Sequence, residues 1–185
     1  MSWIQRIRLL IHQNSLKSAI ARNQQLKHKS SISLKAANTV GILFDATELK
    51  DRDIVLAFAK KIKQEGKNVK LLAYLDDFAE SDSYPFRIYS KKNLDWFFRP
   101  KGDEINAFTQ EPFDLLLYFH PLPNPHAEYI MTLSKATFKV GPVSKNTHAY
   151  DLMIDAGSKP ELSQFIKQAE LLLEKMNPTN TIAHV

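Results

Sequence analysis

Two short runs, a first strand Thr39-Val-Gly-Ile-Leu-Phe-Asp45 with an apolar interior and Leu115-Leu-Leu-Tyr-Phe119, present apolar side chains on both alternating sets of positions and are flanked by polar residues. Successive residues of a strand point to opposite faces, so such a strand must be covered on both sides. That requirement selects central strands of a mostly parallel sheet with helices above and below. The intervening pattern agrees. Lys50 to Glu65 places Ile54, Val55, Phe58, Ala59 and Ile62 on one helical stripe and ends at Gly66, where a left-handed residue closes a helix. A second strand, Val69 to Leu75, follows at once and makes a βαβ unit, whose crossover is right-handed in about 98% of such units.

Beyond Asp76 the pattern is less regular until a short strand at Phe86–Tyr89 and an aromatic loop at Trp96-Phe-Phe98. A short helix is predicted over Asp103–Gln110 with Ile105, Ala107 and Phe108 inward, then the strand Pro112–Phe119 and a helix His126–Ala136. Short strands at Phe138–Val140 and Leu152–Ile154 precede a closing helix, Leu162–Met176, with Phe165, Ile166, Ala169, Leu172 and Leu173 inward. Asn177-Pro178 stops it. The fold expected is a single Rossmann-like α/β layer sandwich with a mostly parallel sheet, spanning 39–177 and followed by a flexible tail over 178–185.

Ahead of this body the charge is sharply partitioned. Residues 1–38 contain seven basic side chains, Arg6, Arg8, Lys17, Arg22, Lys27, Lys29 and Lys35, and no acid; the remaining residues hold 18 basic against 20 acidic, a formal −2. Within the arm, Ile4, Ile7, Leu10, Ile11, Leu16, Ala19 and Ile20 recur at three- and four-residue steps, the mark of a basic amphipathic helix. From Asn23 to Ala37 the period fades into a polar linker. Clustered positive charge calls for an anionic partner, either RNA or a ribonucleoprotein, or an anionic membrane surface with Trp3, Ile4, Ile7, Leu10 and Ile11 dipping into it. The stripe can also pack on the body or on a partner protein.

Other classes are constrained by what the chain lacks. With no cysteine among 185 residues, disulfides, thiolate metal sites and cysteine nucleophiles are excluded, which suits a cytoplasmic protein, peripheral at the membrane if the arm anchors there. No apolar run approaches the ~18 residues needed to span a bilayer. The arginine-interrupted start does not fit a secretory signal, although an acid-free amphipathic start has the composition of a transit segment. Neither G-x-G-x-x-G nor G-x-x-x-x-G-K-[ST] occurs, so no dinucleotide cofactor or P-loop chemistry is expected. The six histidines show no paired ligand spacing, and no metal site is expected.

Ligands of open α/β sheets bind beyond the carboxyl ends of strands. There Asp45-Ala-Thr47, Asp76-Asp77, His120 and Asp155-Ala-Gly157 could share one rim, which supports an alternative role as a nucleotide- or sugar-phosphate-binding enzyme or sensor. Asp45, Thr47, His120 and Asp155 are the candidate rim residues. Each also has a simpler use, Asp45 or Thr47 in capping the following helix and His120 in bonding to loop backbone. No catalytic residue is assigned, and the enzyme reading ranks below an adaptor. Trp96-Phe-Phe-Arg99 could stack bases of single-stranded RNA, although rings of this size more commonly fill cores.

Five segments carry a resemblance: Val40–Thr47, Asn93–Phe97, Glu111–Leu117, Ser134–Gly141 and Tyr150–Asp155. In this order they resemble an uncharacterised family of small bacterial α/β proteins that begin with a basic helix. The chain departs from the family pattern late in the fourth strand, where Tyr118 replaces an acidic residue. Phe113-Asp-Leu115, Ser134-Lys-Ala136 and Lys139-Val-Gly141 also resemble, more faintly, one half of the heptosyltransferase-type glycosyltransferases. That likeness implies a fold and no activity.

Overall fold

The computed structural model describes residues 32–76, 83–158 and 160–176. The chain runs β1 (Thr39–Asp45), α1 (Leu49–Gln64), β2 (Asn68–Tyr74), β3 (Arg87–Tyr89), a 3-10 turn (Lys91–Asn93), α2 (Asp103–Gln110), β4 (Leu115–Phe119), α3 (Pro125–Leu133), β5 (Phe138–Pro142), β6 (Leu152–Ile154) and α4 (Leu162–Lys175). The strands form one sheet in the order β3-β2-β1-β4-β5-β6, every pair parallel. This is the doubly wound order with a switch point between β1 and β4. The two runs without a polar face are its centre, Val40 opposite Leu115 through Phe44 opposite Phe119.

Alternation along the strands divides the core. On one face Ile42, Phe44, Leu117 and Phe119 pack against Val55, Phe58 and Ile62 of α1 and Phe165, Ile166 and Leu173 of α4. The Phe58 and Phe119 rings meet edge to face at 4.9 Å. On the other face Leu43, Leu116 and Tyr118 pack against Ile105 and Phe108 of α2 and Ile130 and Met131 of α3. Each such side chain taken out of water contributes roughly 1.5–3 kcal/mol, so removing either helical layer would strand one parity of every central strand.

Local signals place the ends. Gly66 takes φ 86° while its N–H donates to the Lys63 carbonyl at 3.0 Å and that of Lys67 to the Ile62 carbonyl at 3.2 Å. This is the paired closure that turns α1 directly into β2. Gly141 on β5 serves a different need, because a Cβ there would stand 2.1 Å from the Tyr150 ring that lies across it.

Several expectations change. Ile32–Ala37, read as the end of a polar linker, belongs to the body: Ser33, Leu34 and Ala37 are buried, with Leu34 and Ala37 in the same core cluster as the inward residues of α1 and α4. Ala107 points outward because α2 buries Ile105, Phe108 and Thr109, and two helical steps carry position 107 to the opposite side. Leu172 is exposed while Leu173 takes the last inward position of α4. α3 stops at Leu133, three residues early, since Lys135 and Thr137 donate to the Thr109 and Phe113 carbonyls on the way into β5. Trp96 does not fill the core; it is 65% exposed. The helix expected over the first 22 residues and the tail over 178–185 lie outside the described residues.

Gly141→Ala is expected to cost about 1–3 kcal/mol by forcing Tyr150 off the sheet. Thermal melting checks this, and Gly141→Ala combined with Tyr150→Leu should recover part of the loss.

Candidate functional site

β1 leads into α1 on one face of the sheet and β4 into α3 on the other, so the carboxyl edge opens between them. At this edge Asp45 ends β1, and its carboxylate accepts the Thr47 N–H at 2.9 Å. It closes the turn, while Glu48, the residue capping α1, makes no side-chain cap bond. His120 lies just past β4 with Nδ1 2.7 Å from the Leu122 carbonyl and 3.2 Å from its N–H. Asp155 follows β6 and accepts the N–H of Gly157, at 2.9 Å, where the chain bends at φ 70°. The four candidates share one edge, yet each side-chain bond found for Asp45, His120 and Asp155 is to its own loop. β5 stands between β4 and β6, so the strands leading to His120 and Asp155 are about 10 Å apart. A cleft of about 330 Å³ does open beside His120, bounded by Lys50 and Asp51 of α1 and by Glu161 and Ser163 at the start of α4.

At the opposite, amino edge, Lys67 donates its ammonium to the carbonyls of Lys35 (3.3 Å) and Ala37 (2.9 Å). This fixes the root of the N-terminal arm. Arg6, Arg8, Lys17, Arg22, Lys27 and Lys29 lie outside the described residues.

The carboxyl edge also carries a polar aromatic group that the sequence pattern did not reveal. Tyr74 ends β2, Tyr89 ends β3, Tyr118 lies on β4, and His126 enters on the first turn of α3, which Asn124 caps by accepting the His126 N–H at 3.2 Å. The Tyr89 hydroxyl and His126 Nδ1 are 2.9 Å apart, and the Tyr74 ring lies 4.5 Å from the imidazole. Tyr74 donates to Asp76 at 2.7 Å. Burial raises the Tyr89, Tyr118 and Tyr150 hydroxyls well above their ordinary pKa, and the Asp45 charge adds to this for Tyr89 and Tyr118. They stay neutral at physiological pH. Burial likewise raises the Glu128 carboxyl, against a smaller opposing effect of the Ser144 hydroxyl bonded to it. For Asp76 burial works upward, but bonds from Lys91 and Tyr74 outweigh it and hold the carboxyl below its usual range. Among the described residues the buried Tyr150 hydroxyl has no hydrogen-bond partner. Alternate positions near the carboxyl ends of β2, β3 and β4 were the available signal; it is unreadable until the strands are aligned.

A second feature projects from the β3 edge. Asp95 accepts the N–H groups of Phe97 (2.9 Å) and Arg99 (3.0 Å) and pairs with the Arg99 guanidinium at 2.7 Å and with Lys101 at 3.4 Å. Burial works against the charge, yet these donors bring its pKa down to about 2. Leu94 bridges to Pro100, and Phe98 is held at φ 59°, a rare conformation for a bulky residue. Among the described residues no group of three His, Cys, Asp or Glu could hold a metal ion, and no helix is long and apolar enough to cross a membrane.

The strand order and two-sided helical cover define a doubly wound parallel α/β domain. More particularly, the chain matches over residues 10–176 the model of a family of unknown function, DUF6913, and belongs to that family. No curated protein and no solved structure matches it. Several residues of the five family-like segments have structural uses. Asp114 accepts the N–H groups of Asn38 and Thr39, both at 2.9 Å, and ties the start of β1 to β4. Burial opposes its charge, but these bonds keep its pKa low. Asp151 accepts the Lys139 N–H at 2.9 Å, and Ser134 accepts that of Ala136 at 3.1 Å.

Tyr89→Phe should destabilise the fold by about 1–3 kcal/mol by orphaning the His126 nitrogen, whereas Tyr150→Phe should leave stability unchanged or raise it; denaturant titration separates the two. The Asp95 pKa of about 2 lies below its unpaired value of 3.8. Its contribution, about 2 kcal/mol, is therefore present above about pH 4 and lost as pH falls towards 2. Asp95→Asn should flatten that part of the pH–melting curve.

Proposed function

We propose that this protein is a non-catalytic α/β adaptor whose basic N-terminal arm contacts RNA or a ribonucleoprotein. The observation that carries this is the charge partition, seven cations and no acid in 38 residues ahead of a slightly acidic body. The position of the arm's root supports it. Lys67 anchors that root at the amino edge, away from the carboxylates of Asp45, Asp76 and Asp155 at the strand ends. A polyanion gripped at the root avoids those charges, while a nucleotide or sugar phosphate on the rim would meet them.

The state of the rim histidines points the same way. His120 is engaged by Leu122 and His126 by Tyr89, so each already has a structural partner. The residues that resemble the glycosyltransferase outline, Asp114, Ser134 and Lys139, hold strand and helix ends together.

The test uses the full chain, because a chain starting at Asn38 would lose Leu34 and Ala37 from the core. Binding of a fluorescent single-stranded RNA should fall with salt at a log–log slope of about −0.7 per phosphate neutralised. Reversing Arg6, Arg8, Lys17 and Arg22 to Glu should weaken binding and flatten that slope. Salt-independent binding, or none, sinks the proposal. Flotation of the intact chain on anionic vesicles without RNA affinity would assign the arm to a membrane surface instead.

A further inference from the structure

The cleft beside His120 combines apolar lining with open carboxylates. Ile54 of α1, Leu122 after β4 and Leu162 of α4 line it together with Asp51 and Glu161, and Lys50 stands among them. Neither Asp51 nor Glu161 pairs with a cation among the described residues. Asp45 and Asp155, at the ends of β1 and β6, add negative charge to the same carboxyl edge. Leu122 is 53% exposed, and Leu49, where α1 begins, is 68% exposed. Apolar surface of this kind gains by leaving water.

We propose that this cleft receives the chain's own N-terminal segment, with the stripe Ile4, Ile7, Leu10 and Ile11 against its apolar lining and Arg6 and Arg8 meeting Asp51 and Glu161. Residues 1–11 hold two arginines and no acid, which complements a groove with two unpaired carboxylates. The three- and four-residue steps of the stripe are those of an amphipathic helix laid in a groove. The tether is long enough. The described chain begins at Ile32, close to the amino edge where Lys67 holds the Lys35 and Ala37 carbonyls, and twenty residues, 12–31, lie between Ile32 and Ile11. Even wound as a helix they span about 30 Å. The seven residues of β1, which lead from the amino to the carboxyl edge, cover about 23 Å. A tethered segment is present at an effective concentration on the order of millimolar, which favours it over the arm of a second copy. The docking does not rest on the RNA reading above; it names where the arm lies when no polyanion holds it.

Because the chain has no cysteine, a disulfide between two introduced cysteines reports this contact without interference. Full-length Leu10→Cys/Leu122→Cys, and Ile7→Cys/Leu122→Cys beside it, should close an intramolecular disulfide roughly tenfold faster than Leu10→Cys/Leu171→Cys. Leu171 is the control because it is similarly exposed, at 51%, but lies near the end of α4, whereas the cleft is at its start. Adding Asp51→Asn and Glu161→Gln should slow the Leu122 disulfide severalfold, and raising the salt should do the same to the parent pair. Unaltered melting of the reduced variants is the folding control, since Leu122 and Leu171 are surface positions. Closure no faster than in the control overturns the docking, and a product that is entirely dimeric overturns it in favour of a second copy. RNA binding by the cysteine-free chain is scored separately, so either reading can fail without the other.

Discussion

The parallel pairing of β1 with β4 is the constraint from which the rest follows. Both strands are apolar on both faces, and Val40 through Phe44 lies in register with Leu115 through Phe119. Two apolar faces require two helical layers, supplied by α1 with α4 on one side and α2 with α3 on the other. The connections therefore leave β1 and β4 in opposite directions. This opens the carboxyl edge between them and brings Asp45, His120 and the tyrosines to it. Asp114, bonded to the N–H groups of Asn38 and Thr39, secures the same pair at the other end.

The edge is chemically unusual for its class. Where dinucleotide-binding members of this architecture place glycines against a pyrophosphate, this chain has Asp45-Ala-Thr47 and a set of buried tyrosines. Tyr89, Tyr118 and Tyr150 remain protonated because burial and nearby carboxylates disfavour the phenolate. Tyr89 bonds to His126, and all three rings pack in the core of the α2 and α3 face. Gly141 makes the assembly sterically possible by leaving room for the Tyr150 ring.

Positive charge gathers in the arm rooted at the amino edge, over residues 60–70, where five lysines stand against Glu65, and in the loop beside β3. In the loop these charges are largely paired, Arg99 and Lys101 with Asp95, Lys91 with Asp76 and Arg87 with Glu104.

The elements of the body were legible because their periods are local. β1 and β6 are found at their expected ends, and α1, β2 and α4 within a residue of theirs. Ala107 and Leu172 were misplaced because a residue near the margin of a helical stripe is assigned inward or outward by the neighbouring layer. Ile32–Ala37 looked like linker because Leu34 and Ala37 find their core only across the fold. The rim could be drawn from strand ends, whereas the separation of His120 from Asp155 depends on β5 entering between β4 and β6. By itself, the sequence determined the α/β class, the buried central strands and the charged arm, since hydrophobic period and charge are properties of adjacent residues. Only the tertiary structure decided the strand order, the Tyr89–His126 pair and the outward Trp96, because these depend on contacts and exposure set by residues distant in the chain.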